Sequence, residues 1–328
     1  MPARIYRGTA RNLSFLARRL RAGELVAVPS ETVYGLAANA LDARACRRIF
    51  AAKGRPLTDP LIVHLHSLRQ LDEVALANPA ALTLARKFWP GPLTLVLPKR
   101  PSVPAEVTAG LPSVAVRMPS HPLLRRLLKL CDLPLAAPSA NAFGYVSPTT
   151  AAHVHHGLGR KIRYILDGGA TPIGLESTIV DLRDPANPRL LRPGAITRAQ
   201  LSRALGQRVG GKAKVGRVTR AQVAPGSLKR HYSPHAQVIL HPRFTRRQVA
   251  AGVPGEAWLH LKRPTGPAAP NAFWLDRSGT HAAIARSLFA RLRELDQAGF
   301  RVINVELARG TGLAEAINDR LRRAAAQG

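Results

Sequence analysis

Short apolar runs separated by amphipathic stretches constrain this chain more than any other feature of its sequence. Residues 25–30 (LVAVPS), 61–65 (LIVHL), 93–97 (LTLVL) and 114–118 (VAVRM) each read as a buried strand. Shorter strands are expected at 133–138, 164–168, 177–182 and 189–194. Helical periodicity fills the gaps at 13–21, 43–52, 79–88 and 121–130, the first stopped by Gly23. No run approaches the roughly 20 uninterrupted apolar residues that a membrane span needs. Strands this short, interleaved with helices and punctuated by 27 prolines and 26 glycines, predict an α/β fold on a mixed sheet rather than an all-β barrel.

The texture changes at 201–235. That stretch carries Arg203, Arg208, Lys212, Lys214, Arg217, Arg220, Lys229 and Arg230 and no acid, which reads as a self-repelling, extended linker. A second α/β pattern follows, with strands at 236–240, 257–261, 272–275 and 302–307 and helices near 245–251, 280–298 and 313–325. The expected organisation is therefore a first domain over 1–200, a basic linker over 201–235, and a small Rossmann-like α/β domain over 236–328.

Forty-nine basic residues against 19 acidic ones give a net charge of +30, a field that favours polyanions such as nucleotides and RNA. Most of the basic residues are arginine, and Ala, Gly and Pro are abundant too, as a GC-rich genome also produces; the charge alone names no function. Two cysteines, Cys46 and Cys131, argue against a disulfide scaffold or a cysteine zinc site. With no signal-peptide pattern at the N-terminus, a cytoplasmic location is expected. The chain has no G-x-x-x-x-G-K-[ST], G-x-G-x-x-G, H-E-x-x-H or G-x-S-x-G. His153, His155 and His156 have no acid or cysteine nearby and read as a solvated helix face rather than a metal site.

Polar islands at the strand ends stand out instead: PSETVYGLAANA (29–40), KGRPLTDPLIVHLH (53–66), PSANAFGYVSPTTAAHV (138–154), GLESTIVD (174–181) and LRPGAI (191–196). Lys53 and Arg55, two apart on an extended turn, suit a polyphosphate, or else a solvated surface. Ser139, Asn141, Ser147 and Thr149 precede a helix, where hydroxyls and free N–H groups can hold an anion; the plainer reading makes Ser147, followed by Pro148, the helix cap.

In this order, KGRP, DPLIVH, SVAVRMPSH, APSAN with SPT, ESTIVD and LRPGAI resemble the YrdC-like threonylcarbamoyl-adenylate synthases over 25–196. PGSLKRHYSPHA (225–236) ahead of a small α/β unit resembles their long, two-domain branch. The resemblance implies a twisted, mixed open sheet and an enzyme that condenses L-threonine, bicarbonate and ATP to threonylcarbamoyl-AMP and pyrophosphate, for modification of the adenosine beside a tRNA anticodon. It implies that Lys53 and Arg55 are catalytic and, with Ser139 and Asn141, grip the phosphates. Asp59, Ser113, Ser147, Arg192 and His231 fall at ATP positions, and Thr32, His64, Arg117, Ala137 and Ser177 at threonine positions. Three departures stand out: Ser30 for threonine, Asp59 for asparagine, and Phe143 for a small residue. Asp59 puts a like charge near phosphate unless it faces a metal or Arg55. Mg²⁺ is expected to arrive on ATP, because no acid cluster forms a metal cage. His231 and Tyr232, at the end of the linker, are expected to close over the nucleotide as a lid. The product implies a downstream tRNA threonylcarbamoyl transferase complex, with direct contact to tRNA or double-stranded RNA left open. Two other readings stand beside it: a non-catalytic basic RNA-binding factor, and a carbamoyl-transferring relative on the same fold.

Overall fold

The computed structural model of the chain describes residues 2–211, 231–266 and 268–326. The first unit runs β1 (Arg4–Arg7), α1 (Ala10–Arg21), β2 (Val26–Val28), β3 (Gly35–Asn39), α2 (Ala43–Lys53), β4 (Ile62–His64), α3 (Leu68–Val74), α4 (Pro79–Phe88) and β5 (Leu93–Pro98). It continues through α5 (Ala105–Thr108), β6 (Ser113–Arg117), α6 (Pro122–Cys131), β7 (Leu135–Ala136), α7 (Ala151–Leu158), β8 (Tyr164–Asp167), β9 (Thr178–Asp181), β10 (Arg189–Arg192) and α8 (Arg198–Leu205). The second unit runs β11 (Gln237–His241), α9 (Arg246–Ala250), β12 (Glu256–Lys262), β13 (Ala272–Asp276), α10 (His281–Gln297), β14 (Val302–Glu306) and α11 (Leu313–Ala325).

Ten strands of the first unit form one sheet in the order β1-β8-β2-β3-β7-β4-β6-β5-β9-β10. The sheet is mixed as expected: β4 and β6 pair in parallel, whereas β5 and β6 are antiparallel. Helices α1 and α6 bury Leu13, Leu16, Leu20, Leu124, Leu127 and Leu128 against Val26 and Val28 on one face. Ile49, Phe50, Leu84, Val154 and Leu158 pack on Leu36, Val63 and Leu95 on the other. Burial on both faces explains why these strands are continuous apolar runs instead of alternating ones. The strand expected at 133–138 shrinks to Leu135–Ala136, because Pro134 and Pro138 have no N–H to give to a ladder. β3 was not foreseen; GLAAN is built of small residues without a β-branched signal, yet it lies mid-sheet.

The second unit is a four-stranded, all-parallel sheet in the order β11-β14-β12-β13, the Rossmann-like form expected. Between the units, α8 starts on a capping box of Thr197 and Gln200. Leu201 and Val209 are buried in the first unit's core, and Gly210 bridges to Arg189. Residues 201–211 thus pack with the first unit. Most of the expected linker's charges, Lys212 to Arg230, lie outside the described residues. Among the described residues, no helix is long and apolar enough to cross a membrane. Cys46 and Cys131 are buried, free thiols.

Candidate active site

After β2 the chain turns tightly through Pro29–Val33. The Ser30 hydroxyl accepts from the Thr32 and Val33 amides, both at 3.2 Å, and donates to the Val33 carbonyl at 2.6 Å. This turn delivers Glu31 and Thr32 to Arg117 at the end of β6. Arg117 Nη2 meets Glu31 Oε1 at 2.7 Å, Nη1 donates to Thr32 Oγ1 at 2.9 Å, and Nε donates to the Gly91 carbonyl at 3.2 Å. A guanidinium has five N–H donors, so one remains on each terminal nitrogen. Burial alone would raise the Glu31 carboxyl, but the Arg117 charge and hydrogen bond outweigh it and hold it below the ordinary carboxylate range. His64, beside this pair, is pushed down to about 3 by burial first and the Arg117 charge second, which makes it a neutral imidazole.

Thr94 on β5 is the strand-register partner of Arg117; Ser177 Oγ lies 2.7 Å from its Oγ1 and accepts from Arg192 Nη2 at 3.1 Å, while Arg192 Nε donates to the Ser177 carbonyl at 3.0 Å. Arg55 approaches from the end of α2. Its Nη2 pairs with Asp59 Oδ2 at 2.9 Å, and it donates to the carbonyls of Asp59 and Pro60 at 3.1 and 2.8 Å. Asp59 therefore turns its charge onto Arg55, one of the two arrangements that keep it from opposing a phosphate. The sequence places Arg55 on an extended turn, with a solvated surface as the alternative to a polyphosphate grip. Arg55 is instead 7% exposed and ion-paired, because Gly54 folds the chain back beneath the cavity.

Thr32, Arg55, His64, Arg117, Ala137, Ser139, Ser177, Arg192, His231 and Tyr232 line a single cavity of about 50 Å³. Four other expected residues stand one layer behind it. Lys53 Nζ donates to the carbonyls of Ser139 and Asn141, both at 2.6 Å, and so ties α2 to that loop. Burial, then the Arg55 charge, hold Lys53 well below the ordinary lysine range. Asn141 Nδ2 closes the next turn on Ala142 O and Tyr145 O, both at 2.8 Å. Asp59 backs Arg55. Ser147 donates to Glu176 Oε1 at 2.5 Å; the cap of α7 is Thr150, whose side chain accepts from the His153 amide. Ser113 begins β6 and is buried outside the cavity's lining, its Oγ without a hydrogen-bond partner among the described residues.

His231 and Tyr232 are buried over the cavity. Their rings lie 4.1 Å apart, Tyr232 stacks on Phe289 at 5.4 Å, and its φ of 64° is left-handed. Burial, then the charges of Arg55, Lys53 and Arg192, keep His231 well below its ordinary value and so neutral. Sequence reasoning passed over Glu31, Thr94 and Glu176. Both acids sat inside the islands, and the signal was an acid among hydroxyls in a chain with only 19 acidic residues. Each acid of the site has an arginine partner: Glu31 with Arg117, Asp59 with Arg55, and Glu176 with Arg320 at 2.9 Å. Among the described residues, no group of three or more His, Cys, Asp or Glu is placed to hold a metal.

Comparison with known proteins gives concordant matches. The family described as "Telomere recombination", of Sua5, YciO and YrdC proteins, matches residues 18–194, and "Threonylcarbamoyl-AMP synthase, C-terminal domain" matches 196–326. The threonylcarbamoyl-AMP synthase of Pyrococcus abyssi is 43% identical over 321 residues, covering 93% of this chain and 91% of its own. That of Bacillus subtilis is 39% identical over 318 residues, covering 94% and 91%. The crystal structure of P. abyssi Sua5 complexed with L-threonine superposes with a TM-score of 0.90 at 42% identity, over 98% of both chains.

Proposed function

The chain belongs to the YrdC-like threonylcarbamoyl-AMP synthase family in its two-domain form, and from that premise we propose how its cavity divides the substrates. The enzyme condenses L-threonine, bicarbonate and ATP to threonylcarbamoyl-AMP and pyrophosphate, a nucleotidyl transfer. Threonine takes the Arg117 side, with Thr32, His64, Ala137 and Ser177 around it; ATP takes the side of Arg55, Ser139 and Arg192. The observation that carries this reading is the donor count on Arg117. With Glu31, Thr32 and Gly91 served, one N–H on each terminal nitrogen is left for a bidentate carboxylate.

The threonine amine attacks the carbon of bicarbonate, and water leaves to give a carbamate. A carbamate oxygen then attacks the α-phosphorus, and pyrophosphate departs with the bond's electron pair. Neither step needs a protein nucleophile, so juxtaposition and preorganised charge carry the catalysis. The threonine ammonium gives up its proton to water before the amine attacks, and His64, a neutral imidazole, packs and orients. Since every carboxylate of the site is committed to an arginine, a Mg²⁺ would be held by phosphate oxygens, where it neutralises their charge. Lys53, Asp59, Asn141 and Ser147 hold the ATP side in place from behind.

The cavity, about 50 Å³, is far below the ~300–1,000 Å³ of ordinary ligand sites. We assign His231 and Tyr232 the part of a cover that withdraws to admit ATP and returns to exclude water from the carbamate. The mixed anhydride formed is hydrolysable, which fits hand-over to a tRNA-modifying transferase. Pyrophosphate release tests the whole reading. It is expected to require threonine and bicarbonate together, with Arg117→Gln raising the KM for threonine at least tenfold and leaving that for ATP within about twofold. Release without threonine would favour a carbamoyl-transferring relative; RNA binding without any release would favour the non-catalytic reading.

A further inference from the structure

Two of the most deeply buried side chains in the second unit are arginines that face the first. Arg320 on α11 and Arg293 on α10 are each 1% exposed. Arg320 Nε meets Glu176 Oε2 at 2.9 Å, Nη2 donates to the Glu176 carbonyl at 3.4 Å, and Nη1 donates to the Pro193 carbonyl at 3.0 Å. Its guanidinium carbon lies 5.4 Å from the centre of the Tyr232 ring. One planar group thus touches the residue before Ser177, the residue after Arg192, and the aromatic cover. Glu176 passes the constraint on, since its other oxygen accepts from Ser147 at 2.5 Å. Arg293 grips the same loop from behind: it donates to the carbonyls of Val146 and Ser147 and lies 4.8 Å from the centre of the Tyr145 ring.

We propose that Arg320 is a positioning residue for the nucleotide half of the active site, with Arg293 supporting the Ser147 loop, so that the second unit completes the ATP site. With Asp319 Oδ2 of its own helix at 2.8 Å, this guanidinium reaches four acceptors from one rigid plane, which neither a lysine nor an apolar side chain of similar length can do. The carbonyls of Glu176 and Pro193 flank Ser177 and Arg192 in sequence, so holding them fixes where those two side chains start. None of Arg320's partners is Thr32, His64 or Arg117. Ser177 is the one threonine residue it adjoins, so the consequence of losing it falls chiefly on ATP and in smaller part on threonine. This inference rests on assigning ATP to that half of the cavity.

The test uses the full chain, with initial rates of pyrophosphate release at varied ATP and varied threonine and a thermal melt of each variant. Arg320→Met is expected to raise the KM for ATP at least tenfold and the KM for threonine, through Ser177, by no more than about threefold. Should the unpaired Glu176 keep that variant from folding, Arg320→Lys preserves the charge but cannot span both carbonyls, and it carries the same expectation. A role in folding alone would lower kcat with the folded fraction and leave both KM values unmoved; that result, or a parallel rise in both, overturns the inference. Arg192→Gln separates the two readings. If it raises the KM for ATP while the Arg320 variants do not, the positioning role falls and the ATP assignment stands. If Arg192→Gln leaves ATP unaffected as well, the assignment itself has failed and takes the inference with it.

Discussion

At the scale of single residues, the site is a set of arginines whose acids are also buried. Arg55 and Asp59 have side chains 3% and 1% exposed and lie 2.9 Å apart. Removing one member of such a pair strands the other as an uncompensated buried charge, which costs about 3–5 kcal/mol. Arg55→Ala is therefore expected to lose stability of that order in denaturant melts, in addition to affinity for ATP. Arg55→Gln combined with Asp59→Asn strands no charge and should recover most of the stability while the KM for ATP stays high. A single Arg55→Ala variant that melts like the native chain would show that the pair contributes nothing to the fold. Tyr232 makes a related point through its backbone. A non-glycine residue at φ 64° pays a local conformational cost, and here the stack on Phe289 and the Arg320 guanidinium hold it there.

At the scale of elements, the end of α2 sets the directions of two cationic side chains. Lys53 is the last helical residue, and Gly54 turns the chain at φ +64°, sending Lys53 towards the 139–141 carbonyls and Arg55 towards Asp59. A Cβ at Gly54 would meet nothing within 4 Å, so Gly54→Ala should cost only the left-handed backbone penalty, about 1–2 kcal/mol, with turnover at saturating substrates near native. A loss well beyond about 3 kcal/mol in the same melts would mean the turn had been rebuilt. Elements of this kind were only partly legible in the sequence. Strands such as β5 and β6 were readable because burial on both faces leaves an uninterrupted apolar run. β3 was not, because small residues serve in the middle of a sheet without carrying strand propensity. The islands marked where the cavity lies, since polar residues at strand ends had no other reason to cluster. Glu31 and Glu176 were hidden in plain view within them. Arg293 and Arg320 had no local signal at all: each sits on an ordinary amphipathic helix, and its role exists only once the two units pack together.

At the scale of the whole molecule, the two units share more than a tether. Interfaces between domains of one chain are usually polar enough to let them move independently. Here Val33, Val146 and Leu175 of the first unit lie in the same apolar cluster as Leu288, Phe289 and Ile317 of the second. The Arg320–Glu176 pair, at 2.9 Å, is buried beside them. If the first unit unfolded alone, it would expose that shared cluster and take Glu176 from Arg320, leaving it only Asp319 of its own helix, so neither unit can open without damaging the other. Calorimetry of the intact chain is therefore expected to show one transition, with calorimetric and van't Hoff enthalpies in agreement despite the two sheets. Arg320→Met with Glu176→Gln removes the ion pair without leaving a buried charge, and should broaden that peak or split it into two. Two separate peaks in the native protein would contradict a shared core. Adding ATP with threonine should then raise the single native transition as a whole, because ligands that bind only the assembled site stabilise every part that must be folded to form it.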